Sequence, residues 1–119
     1  MVQVREGEMR TGIRVTGHWP EAIADVARTR LAFALGRFAG RVRSVSVRLT
    51  DVNGPRGGID KKCLIAVRLE RSPRVIVIED VDTDAEVVVS RAAERSARAV
   101  ARAIDSTGIW RSLAPSRRA

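Results

Sequence analysis

Two stretches of this chain alternate, residue by residue, between apolar and polar side chains. Val45, Val47 and Leu49 alternate with Ser44, Ser46, Arg48 and Thr50; Cys63, Ile65, Val67 and Leu69 alternate with Lys62, Leu64, Ala66 and Arg68. A period of two sends successive side chains to opposite faces, so residues 44–50 and 62–69 read as strands with one buried face. The segment between them holds Asn53, Gly54, Pro55, Gly57 and Gly58. It is too long for a two-residue hairpin turn and too rich in turn formers for regular structure. It is also basic at its tip and exit, at Arg56, Lys61 and Lys62.

The same logic extends along the chain. Met9, Thr11, Ile13 and Val15 alternate with Arg10, Gly12, Arg14 and Thr16, which predicts a first strand over 9–16 after a loose N-terminus at 1–8. Ile23, Ala27, Leu31, Ala34, Leu35 and Phe38 recur at helical spacing, which predicts an amphipathic helix that Pro20 suits as a first turn and that ends near Gly40. Val75 to Ile78 form a third apolar strand of an antiparallel meander, after a turn at Ser72, Pro73 and Arg74. Thr83, Asp84, Ala85 and Glu86 read as a capping box opening a second helix. Its core side runs through Ala85, Val88, Val89, Ala92, Ser96, Val100, Ala103 and Ile104, and Gly108 is its expected stop. Residues 9–108 are thus one expected domain, with 109–119 a basic tail. The order β-α-β-β-β-α predicts an α+β fold: a four-stranded sheet with both helices packed on one face, because each helix has one apolar stripe to bury.

Charge narrows the function. The chain carries a net +8, and all its basic residues except Lys61 and Lys62 are arginine. A field of that sign favours polyanions, and arginine forks onto phosphate. There is no tyrosine, which argues against the stacking platform of a single-strand RNA reader. One cysteine, Cys63, rules out an intrachain disulfide and any multi-cysteine metal site. No apolar run reaches membrane-spanning length and the N-terminus lacks a signal-peptide core, so a cytoplasmic address is expected, with no membrane partner.

Arg91, Arg95, Arg98 and Arg102 fall within an arc of roughly 60 degrees at about 100 degrees per residue, opposite the core stripe. They read as an exposed arginine rail with only Glu94 near in sequence to offset it. A solvated charged face is the plainer alternative, but such faces usually mix signs, and four like charges in line repel until a phosphate backbone relieves them. Arg30 and Arg37 flank Phe33 on the first helix and could extend the rail, or their stems could cover apolar surface. Phe33 is expected to pack in the core or between helices. In the loop, Gly54, Gly57 and Gly58 let amides approach an anion, although no P-loop pattern is present, and a plain hairpin loop is an equal alternative. Glu70, Glu79, Asp80, Asp82, Asp84 and Glu86 suit helix N-terminal stabilisation and protection of the last strand better than catalysis. Cys63 is in phase with core residues, so a nucleophile–base pair with His18 is not expected. Trp19 is expected to plug one end of the core, and Trp110 to fold back onto the domain.

An ordered set of segments resembles the N-terminal domain of bacterial hibernation-promoting factors, also called ribosome-associated inhibitors. It comprises Val15-Thr16-Gly17-His18, the run from Val42 through Leu49 leading into Asp51-Val52-Asn53-Gly54, and Asp60-Lys61-Lys62-Cys63. Ala92-Ala93-Glu94-Arg95 and Arg98-Ala99-Val100 complete it, over roughly residues 11–106. The specific part is the Asn-Gly loop, then Gly57-Gly58, then Asp60 to Cys63. The resemblance implies a fold like double-stranded-RNA-binding domains. It also implies docking on ribosomal RNA of the small subunit, in the channel used by messenger and transfer RNA, so that idle ribosomes are inactivated or protected under stress. By position, Arg91, Arg95, Arg98, Arg102, Lys61 and Lys62 would carry the contact, with Arg56, Arg30 and Arg37 beside them. Glu86 stands where family members often have an aromatic residue. The chain ends too soon for the ribosome-pairing C-terminal domain of long members, so no dimerisation through such a domain is expected. A non-enzymatic translation regulator without cofactor, metal or small-molecule substrate is therefore expected. The alternatives are a general RNA- or DNA-binding module, or an adaptor docking an acidic protein.

Overall fold

Val45, Val47, Leu49, Cys63, Ile65 and Val67 are all at most 2% exposed, whereas Ser46, Arg48 and Arg68 face solvent. The alternation in the sequence is therefore the alternation of a half-covered sheet. The computed structural model describes residues 9–52 and 60–118, with 107–118 as backbone alone. Its elements are β1 (Arg10–Thr16), α1 (Ile23–Leu35), β2 (Val42–Asp51), β3 (Lys61–Leu69), β4 (Val75–Asp82) and α2 (Ala85–Arg118), with one 3-10 turn at Gly36–Phe38. The sheet order is β1-β2-β3-β4. β1 runs parallel to β2 because α1 carries the chain across the sheet between them, and β2, β3 and β4 form the antiparallel meander. This is the α+β fold read from the sequence, with both helices on one face of the sheet.

The core lies between that face and the helices. α1 contributes Ile23, Ala27, Leu31 and Leu35. α2 contributes Val88, Val89, Ala92, Ala93, Val100 and Ala103, a stripe of small side chains that lets it lie close to α1 and the sheet. Ser96 is also fully buried, and its hydroxyl donates to the Ala93 carbonyl at 2.8 Å, so burial leaves no unpaired polar atom there.

Four local expectations are corrected. α1 begins at Ile23 rather than at Pro20, whose carbonyl accepts from the Ile23 amide at 3.0 Å. Its α-helical hydrogen bonding ends at Leu35, and a 3-10 turn tightens the exit. The cap of α2 is Asp84, not Thr83: Asp84 Oδ1 accepts the Val87 amide at 3.0 Å, while Asp82 Oδ1 takes the Asp84 amide at 2.9 Å. A carboxylate meets the positive end of the helix better than a hydroxyl. Finally, α2 runs through Gly108 to Arg118. Glycine weakens a helix interior by only about 1 kcal/mol, so Gly108 alone does not stop it.

β1 and β2 meet tightly at one end. Gly17 has φ +96°, and a Cβ there would sit 2.6 Å from Asp51 Cβ, so only glycine fits this corner. The His18 amide then donates to Asp51 Oδ2 at 3.2 Å. Trp19 packs partly against the core and donates its Nε1 proton to the Thr16 carbonyl at 3.1 Å.

Candidate nucleic-acid interface

Register places Asp80 and Asp82 on the helix-covered face of β4, opposite Cys63 and Lys61 of β3. The first two arginines of α2 reach them. Arg91 Nε donates to Asp80 Oδ2 at 2.8 Å, and its Nη2 donates to Asp80 Oδ1, Asp82 Oδ2 and the Val81 carbonyl at 2.9–3.1 Å. Arg95 Nη1 donates to the Glu79 carbonyl at 2.9 Å and lies 3.4 Å from Asp80 Oδ2. β4 is an edge strand, and the Glu79 and Val81 carbonyls are among the groups its ladder leaves free. The two guanidinium groups therefore cap an edge that would otherwise invite strand addition. The hydrogen bond from Arg91 holds the Asp80 carboxyl below the usual carboxylate range despite desolvation. Asp82 is also lowered, first by the Asp84 amide and then by Arg91.

The expectation of a rail offset only by Glu94 is thus corrected. Sequence spacing showed the four arginines on one face but not the acids that β4 brings across from another element. Arg98 and Arg102 remain exposed, with no ion pair among the described residues. Arg98 lines a groove of about 310 Å³ between α1 and α2, together with Arg30, Phe33 and Glu94. Packing of the two helices therefore brings Arg30 and Arg98 together. Phe33, expected to be packed, is 91% exposed on the groove's rim. It lies outside the 27-31-35 stripe that faces the sheet, and α2 meets it with small residues that cover little of the ring. Arg37, expected on the first helix, lies instead in the 3-10 turn that follows it and is exposed, its guanidinium 4.7 Å from the Phe38 ring centroid. Arg102 lines a second groove with Arg74 and Asp105.

The loop residues divide. Arg56 lies outside the described residues. Lys61 is spent internally: Nζ is 2.9 Å from Asp60 Oδ2 and 3.6 Å from Asp51 Oδ2, and it sits 5.7 Å from the Trp19 ring centroid. The Asp60 hydrogen bond raises its pKa. These contacts, with the Val52 amide donating to the Asp60 carbonyl at 2.8 Å, fasten the base of the loop. Lys62 points to the opposite sheet face and pairs with Glu79 Oε2 at 3.1 Å.

That opposite face carries the residues sequence reasoning missed. No described helix covers it, and it presents Arg10, Arg14, Arg48 and Arg68, all exposed. The alternation of each strand already assigned these arginines to the outer side. Only the register between strands shows that they meet.

The described residues contain no group of His, Cys, Asp or Glu that could hold a metal ion. Cys63 is fully buried, and burial pushes its thiol up to about 12, so it is a core residue and not a nucleophile. No helix among the described residues is long and apolar enough to cross a membrane.

No protein-family model and no curated protein matches the sequence. Solved structures do match the fold. The N-terminal domain of Protein Y from Thermus thermophilus superposes with a TM-score of 0.59 at 21% identity, over 80% of this chain and 97% of that one. A ribosomal subunit interface protein from Coxiella burnetii superposes with a TM-score of 0.57 at 14% identity, over 79% of this chain and 98% of that one. At these identities the likeness establishes the fold, which is the hibernation-promoting-factor-like fold expected from the sequence.

Proposed function

We propose that this protein is a ribosome-associated translation factor that binds the small ribosomal subunit through its RNA, near the messenger and transfer RNA channel, and so inactivates or protects idle ribosomes. The observation that carries the proposal is the fold shared with Protein Y and a ribosomal subunit interface protein, on a chain with a net charge of +8. A polyanion is the partner such a charge favours. Recognition works by shape and backbone contact rather than by base stacking, since tyrosine is absent and Phe33 is the one large aromatic ring held mostly in solvent among the described residues.

On the helix side, Arg30, Arg98 and Arg102 are the contacts of choice, with Arg37 beside them. Among the described residues, their guanidinium groups have no acid to leave before they meet phosphate. Arg91 and Arg95 would have to share themselves with Asp80, so they position the edge of the domain first and touch RNA second. Lys62 would likewise exchange Glu79 for phosphate, whereas Lys61 holds the loop that carries Arg56.

Competition on the small subunit tests this mechanism. Purified subunits loaded with a labelled messenger RNA are titrated with the protein. Loss of bound messenger RNA as the protein saturates is the expected result. Full messenger RNA occupancy at saturating protein would remove the channel from the proposal. Equal affinity for an unrelated RNA duplex would favour a general RNA-binding module.

A further inference from the structure

The open face of the sheet holds an arrangement that the helix-side contacts leave unused. β1 and β2 run in parallel register with Arg10 beside Ser44, Gly12 beside Ser46 and Arg14 beside Arg48. On β3, Arg68 lies opposite Ser44 and Ala66 opposite Ser46. The face therefore has two arginines at each end: Arg10 and Arg68 flank Ser44 from β1 and β3, and Arg14 lies directly beside Arg48. Between them lies a floor of small residues, Gly12, Ser46 and Ala66. A Cβ built on Gly12 would meet nothing within 4 Å, so the floor is open.

Arg14 and Arg48 are direct neighbours on adjacent strands, about 5 Å apart at the backbone. Like charges placed so are destabilising on a sheet. Neither has an ion-pair partner among the described residues. The acid on this face of β4, Glu79, stands beyond Leu64 of β3 and is paired with Lys62. A repulsive pair held in register without a counter-charge is what a bound anion would relieve. The second pair lies four residues along β1, about 13 Å away, so a single small anion cannot satisfy both ends. A chain of phosphates can. The face also lacks the aromatic rings that sheet-based single-strand readers stack on bases.

We infer that the open sheet face is a second RNA-binding surface, in which Arg14–Arg48 and Arg10–Arg68 hold a phosphate backbone across the Gly12–Ser46–Ala66 floor. It deepens the proposed function and rests on RNA being the partner. With arginines on both faces, the domain holds RNA from two sides, so release requires both sets of phosphate contacts to break.

Binding of purified small subunits and of a short RNA duplex is measured across a salt series for three proteins: wild type, Arg14→Gln/Arg48→Gln and Arg30→Gln/Arg98→Gln. The expected result for Arg14→Gln/Arg48→Gln is at least a tenfold weaker affinity near physiological salt, and a log–log salt slope smaller by about 2, one unit per lost phosphate contact. Its melting temperature stays equal or rises, because the repulsive pair is gone; this also shows that the variant is folded. Unchanged affinity and slope for that variant, with wild type binding, overturn the sheet-face inference. Wild type that binds the duplex through Arg14 and Arg48 but ignores subunits keeps the inference and sinks the ribosome proposal. Wild type that binds neither overturns both.

Discussion

Arg91 grips Asp80 with two hydrogen bonds, Nε to Oδ2 at 2.8 Å and Nη2 to Oδ1 at 3.1 Å. The pair joins the second helix to the edge strand of the sheet, and Asp82 extends it. A charged and bidentate contact of this kind is stronger than a neutral hydrogen bond. It changes what the arginine row on α2 is for: the N-terminal half closes a sheet edge, and the C-terminal half faces solvent.

The pair gives the fold an acid sensitivity of known sign. Asp80 and Asp82 both have folded pKa values below their unfolded ones. Their stabilisation is complete above the unfolded carboxylate value, about 3.9, and is lost as pH falls through the lower folded values. Asp80→Asn should melt at a lower temperature than wild type at pH 7. The gap should narrow as both are acidified below about pH 4. Thermal melts across that window check it, and a gap that persists undiminished in acid would refute the charge assignment.

Gly17 should be irreplaceable for a local reason. Its φ of +96° and the 2.6 Å approach to Asp51 Cβ penalise any side chain. Gly17→Ala should lose more than about 1 kcal/mol in urea denaturation. Gly36 lies at φ −56° with open space around it, so Gly36→Ala should be neutral or stabilise by about 0.4–1 kcal/mol.

Leu31 and Phe33 are two residues apart on α1 and should behave oppositely. Leu31 is 1% exposed within the core and Phe33 is 91% exposed. Leu31→Ala should cost about 2–5 kcal/mol, while Phe33→Ala should shift stability by less than about 0.5 kcal/mol. A large loss on truncating Phe33 would show that its ring packs against the domain.

Cys63 should be silent in the native protein. With its thiol buried and pushed up to about 12, a thiol-specific disulfide reagent at neutral pH should react only as fast as the protein opens. Labelling should accelerate with urea in step with unfolding. Rapid stoichiometric labelling without denaturant would contradict the burial.

Periodicity carried most of the fold. The phases of β2 and β3 follow directly from Val45-Val47-Leu49 and Cys63-Ile65-Val67, because a one-residue slip would expose the whole set. The site was harder to read. Four arginines on one helical face are visible along the chain, but the partners of Arg91 sit on β4, about ten residues back, and only tertiary packing brings them close. Arg14 and Arg48 show the reverse case: each was correctly placed on an outer face, yet strands joined through a helix carry no local signal of register. The cap moved from Thr83 to Asp84 because two capping side chains in a row compete, and the sequence does not rank them.

Co-sedimentation of the folded protein with purified small ribosomal subunits, repeated from low to high salt, tests the ribosome proposal most directly. Saturable binding that weakens steeply with salt, and exceeds binding to an RNA duplex at equal salt, is the predicted result. Failure to sediment with subunits even at low salt, while the protein remains folded, would contradict it.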